Sequence, residues 1–178
     1  MVSSLDGYIA SEDNSISWFE TADRYEKGLT VTAEESAEFL KSIDCYIMGS
    51  RTYELALELS RSYGWPYGNV PTIVLTKRKL TVERDNVELY SGNLVKLVDE
   101  RLKPVFKNVW VVGGAEVTTE FIRLNLAGEI RHSVLPILLG GGLSFYDRIG
   151  QQVPLHLKDV KAYKNGMVEL HYDIKKAG

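Results

Sequence analysis

The stretch that most restricts this chain is residues 109–122, VWVVGGAEVTTEFI. Strand-forming residues at 109–112 run straight into Gly113-Gly114 and then into a helix-like pattern, with no spacer. Such a strand feeding two glycines and a helix start is suited to holding an anion. Glycines carry no Cβ, so a phosphate approaches the backbone closely, and the unpaired N–H groups and positive dipole end of the following helix favour its charge. This turn is the expected seat of a nucleotide pyrophosphate.

Strand and helix also alternate upstream. Residues 45–48 form a short apolar strand, and residues 51–60 follow with Tyr53, Leu55, Ala56 and Leu59 close to a helical stripe. Residues 72–75 and 87–90 read as further strands. Leu94, Leu97, Val98 and Leu102 fall at i, i+3, i+4 and i+8, which predicts a helix ending before Pro104. The strand at 109–112 and the helix carrying Val117, Phe121 and Leu124 complete an alternation that implies a largely parallel sheet flanked by helices.

The C-terminal part reads differently. Residues 130–135 form a strand, followed by Gly140-Gly141-Gly142. Residues 153–163 then meet residues 167–174 across Lys164-Asn165-Gly166, a hairpin signal in which both turn positions are expected at positive φ. Val168, Leu170, Tyr172 and Ile174 alternate with Met167, Glu169, His171 and Asp173, giving one apolar and one polar face. The sheet is expected to be mixed, parallel first with an antiparallel end.

The 178 residues amount to one domain, expected over residues 1–178, and 44% hydrophobic residues suffice for a core. With 24 acidic and 21 basic side chains the formal charge is −3, which gives no reason to expect nucleic acid or an anionic membrane as partner. Cys45 is the single cysteine, and His132, His156 and His171 lack the spacing of zinc ligands, so no metal is expected. No stretch approaches the length of a membrane span, and the N-terminus lacks a leader pattern, so a cytoplasmic protein is expected.

Residues 13–31 are long, polar and aperiodic, yet hold Trp18, Phe19 and Tyr25. They read either as a mobile flap over a site or as a surface excursion pinned by Trp18. Tyr63, Trp65 and Tyr67 are placed either at a subunit contact, in line with a homodimer, or over the sheet edge.

In a parallel sheet, ligands gather where strands end. After residues 45–48 come Gly49-Ser50-Arg51-Thr52: Gly49 allows a tight turn, Ser50 is placed to cap a helix, and Arg51 and Thr52 lie in its first turn. After residues 72–75 come Thr76-Lys77-Arg78. One diglycine and two basic strand ends fit an extended, multiply charged nucleotide. The adenosine 2′-phosphate of NADPH accounts for Arg51 together with Lys77 or Arg78. Neither G-x-G-x-x-G nor a Walker loop is present. Gly7, within Ser4-Leu5-Asp6-Gly7-Tyr8-Ile9-Ala10, marks either close approach of a flat ligand or a bend. Candidates for a proton donor are Glu34, Glu35 and Glu38, although Thr32-Ala33-Glu34-Glu35 is also a capping box that accounts for Glu35.

Five segments in order, Ser4 to Ala10, Ile47 to Tyr53, Val74-Leu75-Thr76, Val111 to Glu116 and Pro136 to Gly142, resemble the dihydrofolate reductase superfamily. They are most similar to the reductase domain of bacterial riboflavin biosynthesis and its stand-alone relatives. The resemblance implies an α/β, dihydrofolate reductase-like three-layer fold, with a mixed, mainly parallel sheet and an antiparallel C-terminal hairpin. It also implies NADPH as cofactor. Gly49, Ser50, Arg51 and Thr52 would then serve its adenosine side, together with Thr76, Lys77 and Arg78. Gly113, Gly114, Ala115 and Glu116 would serve the pyrophosphate, and Gly7, Ile9 and Ala10 the nicotinamide. Glu35 corresponds to the acidic residue of the first helix, and Glu35 and Asp6 are the candidate catalytic carboxylates. The chain differs from folate reductases in having Gly-Ser-Arg-Thr for Gly-Arg-x-Thr and in lacking their proline-tryptophan pair. Only Met1-Val2-Ser3 precede Ser4, so the first strand is expected to be truncated or to start upstream. The expected activity is NADPH-dependent reduction of a small molecule, nearest to 5-amino-6-(5-phosphoribosylamino)uracil. The alternatives are a pterin or other small-molecule reductase, or a non-catalytic nucleotide-binding module.

Overall fold

The structure is a computed structural model that describes residues 1–175. Along the chain run β1 (Val2–Ser4), β2 (Tyr8–Ala10), α1 (Ala33–Lys41), β3 (Cys45–Gly49), α2 (Ser50–Tyr63), β4 (Thr72–Leu75) and β5 (Val87–Tyr90). There follow α3 (Leu94–Lys96), β6 (Val109–Gly113), α4 (Ala115–Arg123), β7 (Glu129–Leu135), β8 (Leu143–Ser144), β9 (Leu155–Ala162) and β10 (Val168–Ile174). The chain divides into two compact units, Ala37–Leu124 and the remainder.

In the unit Ala37–Leu124, four strands form an all-parallel sheet in the order β5-β4-β3-β6. The central strand β3 is apolar without alternation, as a strand covered on both faces must be. Cys45, Ile47 and Met48 are wholly buried, and a side chain such as Ile47 contributes about 1.5–3 kcal/mol by leaving water. Tyr46, Met48, Tyr53 and Val74 centre one core, against which Trp65 and Tyr67 pack. Trp65 meets Tyr53 edge-on at 6.0 Å, and Tyr67 lies 4.8 Å from Tyr46. Of the three aromatics offered as a subunit contact, only Tyr63 stays exposed; the other two lie on the core.

Two local expectations for this unit need correction. The helix expected from Leu94 to Leu102 is α only over Leu94–Lys96 and continues as a π helix over Leu97–Leu102. The wider turn, with Lys103 N–H bonded to Val98 O, brings Leu97, Val98 and Leu102 to one buried side. Ser50 does not cap α2. Gly49 holds the cap in extended conformation, and Ser50 is the first helical residue.

The other unit contains β1, β7, β10 and β9 in that order, with β1 parallel to β7 and the remaining pairs antiparallel. The antiparallel C-terminal hairpin is present as expected. The strands are bonded as separate parallel and mixed sheets, however, and the short pair β2-β8 had no counterpart in the sequence pattern. The hairpin turn also differs: Gly166 has φ +77 but Asn165 is not left-handed, and Gly166 N–H donates to Tyr163 O. Only one position needs glycine because the loop is longer than two residues. Residues 13–31 are tied down at several points. Trp18 is buried with its indole N–H on Ser15 O at 3.2 Å, Tyr25 N–H donates to Lys164 O, and Leu29 bonds both Ala162 and Lys164.

The register divides the four-stranded sheet into two unlike faces. Ile130, His132 and Val134 share a face with Val168, Leu170 and Tyr172 and with Leu157, Val160 and Ala162. The opposite face carries Glu129, His171 and Asp173, bridged by Lys158. Phe145 stacks on His132 at 4.0 Å and closes the apolar face at its β1 side.

Candidate functional site

In the unit Ala37–Leu124, two strand-to-helix turns lie side by side. Met48 pairs with Gly113, so the chain leaves β3 and β6 at one level and enters α2 and α4. A glycine holds the cap in each case, Gly49 for α2 and Gly114 for α4, and neither helix is closed by a side-chain hydrogen bond. The first-turn amides of both helices therefore retain their attraction for an anion.

The space at this place exists because side chains are missing. A Cβ on Gly49 would lie 3.2 Å from Val117 Cγ2 and 3.9 Å from Gly113 O, and one on Gly114 would lie 3.7 Å from Thr52 Oγ1. Gly113 has φ +119, a conformation other residues reach only with strain, and its peptide bond to Gly114 is cis. Ala115 is buried, whereas Glu116 is exposed in the first turn of α4, where its carboxylate suits the helix dipole but adds no attraction for an anion.

β4 flanks β3 on its other side, with Leu75 opposite Gly49, so Thr76, Lys77 and Arg78 emerge beside the start of α2. The Thr76 hydroxyl accepts the Arg78 N–H at 3.0 Å. The Arg78 guanidinium is held bidentate by Glu54 at 2.7 and 3.0 Å, so its charge is already matched. Arg51 and Lys77 are exposed and enter no ion pair among the described residues. Sequence reasoning missed Glu54, because its partner lies in a different strand-end loop. It also missed the approach of Thr52 to Gly114.

The remaining candidates belong to the other unit. Asp6 accepts from Ser4 Oγ at 2.6 Å, Gly140 N–H at 2.7 Å and Leu139 N–H at 3.1 Å. The Ser4 hydroxyl first, then these amides, hold its carboxyl below the ordinary range. Asp6 thus anchors the glycine loop that follows β7. Gly7 has φ +86 and accepts the Phe145 N–H at 2.8 Å. Tyr8 and Ala10 pair with β8, with Ile9 half-buried between them, and a side chain on Gly142 would collide with the Ala10 carbonyl. Glu35 is exposed, and its N–H donates to Thr32 Oγ1 at 3.2 Å, so the capping contact expected from the sequence is made.

Burial shapes two further groups. The Cys45 thiol is pushed up to about 12 by desolvation, which makes it no nucleophile. His132 is pushed down to about 4, first by desolvation and then by the N-terminal ammonium. The Ser3 hydroxyl donates to Ser4 O, which leaves His132 Nε2–H to donate to Ser3 Oγ at 2.6 Å.

An opening of about 650 Å³ in the unit Ala37–Leu124 is lined by Ile43, Asp44, Val70 and Pro71 at the amino ends of β3 and β4. It is a shallow depression at the opposite strand ends from the glycines and has none of their anion-binding geometry. Among the described residues no cluster of His, Cys, Asp and Glu is placed to hold a metal, and no helix is long and apolar enough to cross a membrane.

Residues 1–169 match the model of the family described as RibD C-terminal domain. The Bacillus subtilis (strain 168) protein YwjB is 27% identical over 170 residues, covering 95% of this chain and 92% of its own. A crystal structure of a Shewanella sp. PV-4 protein named for riboflavin biosynthesis superposes with a TM-score of 0.82 at 24% identity, over 99% of this chain and 97% of that one. The Thermotoga maritima diaminohydroxyphosphoribosylaminopyrimidine deaminase/5-amino-6-(5-phosphoribosylamino)uracil reductase superposes with a TM-score of 0.67 at 16% identity. That match takes in 98% of this chain and 55% of the longer Thermotoga one.

Proposed function

Since the chain belongs to the RibD C-terminal domain family, we propose that it is an NADPH-dependent reductase of the riboflavin-biosynthesis type, acting on 5-amino-6-(5-phosphoribosylamino)uracil or a close analogue. The observation that carries this reading is the pair of uncapped, glycine-opened helix starts at neighbouring parallel strand ends. A dinucleotide fits the residues present, because the cradle at Gly114 is one that a Cβ would fill and no side chain occupies the helix caps.

Gly113, Gly114 and the amides of Ala115 and Glu116 would hold the diphosphate, with the Thr52 hydroxyl beside them. Gly49 and Ser50 keep the neighbouring helix start open. Arg51 and Lys77 would neutralise a 2′-phosphate, whereas Arg78 positions the strand-end loop through Glu54. When bound, the cofactor supplies a hydride. Glu35 is the proposed proton donor, and Asp6 acts by fixing the loop at Leu139 and Gly140.

A second reading, a nucleotide-binding module without chemistry, is favoured by one observation: Glu35 is exposed and its local contact is a helix cap. Loss of NADPH absorbance with the pyrimidine substrate, compared with dihydrofolate, tests the proposal. Turnover of the pyrimidine supports it, and turnover of dihydrofolate alone moves the activity to pterins. Binding of NADPH without turnover of either leaves the module.

A further inference from the structure

We propose that the hollow between residues 18–23 and the turn after β7 is a binding site for a small protonated amine with a one-ring or branched aliphatic body. β7 ends at Leu135 because Pro136 has no N–H to extend the strand, and Ile137 N–H turns back to Leu135 O at 2.8 Å. This turn and Trp18 enclose a cavity of about 210 Å³. Its inner walls are apolar: Trp18 and Leu135 are 8% and 3% exposed, with Pro136 and Ile137 beside them. Trp18 is held in place by its indole N–H on Ser15 O and by Phe19 edge-on at 4.7 Å. Its rim is polar and borders solvent, with exposed Glu20 and Asp23 on either side of Thr21.

The rim sets the charge of the ligand. The Asp23 N–H donates to Thr21 Oγ1 at 3.1 Å, but the carboxylates of Glu20 and Asp23 enter no ion pair or hydrogen bond among the described residues. No basic side chain lines the cavity. Asp23 keeps its place because the neighbouring turn residue is glycine: a Cβ on Gly166, at φ +77, would collide with the Asp23 carboxylate and lie 2.9 Å from Pro136 Cγ. Two unmatched carboxylates at the mouth of an apolar hollow repel an anion and accept the N–H donors of an ammonium, whose body is then taken out of water. Size narrows the class further. A dry cavity of about 150 Å³ holds benzene, so this one takes a single ring and is too small for a nucleotide. Residues 21–24 make no backbone–backbone hydrogen bond among the described residues, so the rim adjusts to a ligand without breaking the fold. Every wall belongs to the unit that contains β1 and β7, so the site does not depend on the diphosphate reading.

Titration of the full, isotope-labelled chain with benzylamine, followed by NMR at the Trp18 indole N–H, tests this. Benzylamine is expected to shift that signal saturably, benzyl alcohol to bind about tenfold more weakly for want of the charge, and benzoate to leave it unmoved. Glu20→Gln combined with Asp23→Asn changes two exposed side chains, is expected to keep the circular dichroism spectrum, and should reduce benzylamine to the affinity of the alcohol. Should the double variant fail to fold, Asp23→Asn alone is expected to weaken benzylamine in the same direction. An unmoved Trp18 signal at saturating amine overturns the proposal, as does a shift confined to Trp65 or Trp110. Equal affinity for amine and alcohol, or folded variants that bind the amine as the wild type does, overturns it too.

Discussion

Gly114 and Thr52 face each other across two helix starts, so that a Cβ on Gly114 would stand 3.7 Å from Thr52 Oγ1. That separation is ordinary van der Waals contact, so the fold accepts a methyl group there while the approach to the amides of α4 narrows. Gly114→Ala is expected to melt close to the wild type and to bind NADPH at least about tenfold more weakly, a loss of about 1.4 kcal/mol. Gly113→Ala meets a backbone at φ +119 and should instead lower stability by about 1–2 kcal/mol. Calorimetric titration with a thermal melt of each variant separates the two outcomes.

Arg51 and Arg78 are predicted to behave differently although both are exposed cations at strand ends. Arg78 is matched by Glu54, whereas Arg51 enters no ion pair among the described residues. Arg51→Ala should weaken NADPH markedly and NADH little, and Arg78→Ala should weaken both only slightly. Equal losses of NADPH and NADH on Arg51→Ala would remove Arg51 from the 2′-phosphate.

His132 predicts an acid-sensitive fold. Its folded value near 4 lies below the ordinary 6.5, so the unfolded chain takes up a proton on this ring at a pH where the folded chain does not. Its contribution is flat above about pH 6.5 and turns unfavourable as pH falls from there toward 4. Allowing for a part-exposed ring, the loss is about 2 kcal/mol. Urea titrations across this range should show a slope that His132→Gln flattens, and a slope unchanged in the variant would contradict the assignment.

Asp6 predicts a second pH dependence of the opposite origin. Its carboxyl is held below the ordinary 3.8, so the stability it lends is present above that value and disappears as pH falls through the lower folded one. Asp6→Asn should melt lower than wild type at neutral pH, with the difference shrinking in strong acid. A melting difference that does not depend on pH would show that the charge is not what holds Leu139 and Gly140.

The parallel half of the fold was legible because β3 and β4 are buried and, with the half-buried β6, read as short apolar runs leading into Gly49, Thr76 and Gly113. The diglycine was legible for the same reason, since it follows such a strand directly. The π turn at Leu97–Leu102 was hidden because Leu94, Leu97, Val98 and Leu102 satisfy an α spacing equally well. The β2-β8 pair was hidden by its brevity and by partners far apart in sequence. The matching of Arg78 by Glu54 is a tertiary relation that no spacing rule reveals. The carboxylates were the least legible part, because a capping glutamate and a catalytic one share the same local pattern at Glu35.

On the proposed reading, the turns at Gly49 and Gly113-Gly114 receive a dinucleotide diphosphate. Isothermal titration of the folded chain with NADPH tests it most directly. Saturable binding at one site per chain, tighter for NADPH than for NADH, is the expected result. Absence of any heat with either dinucleotide, reduced or oxidised, from protein with a native circular dichroism spectrum would contradict it.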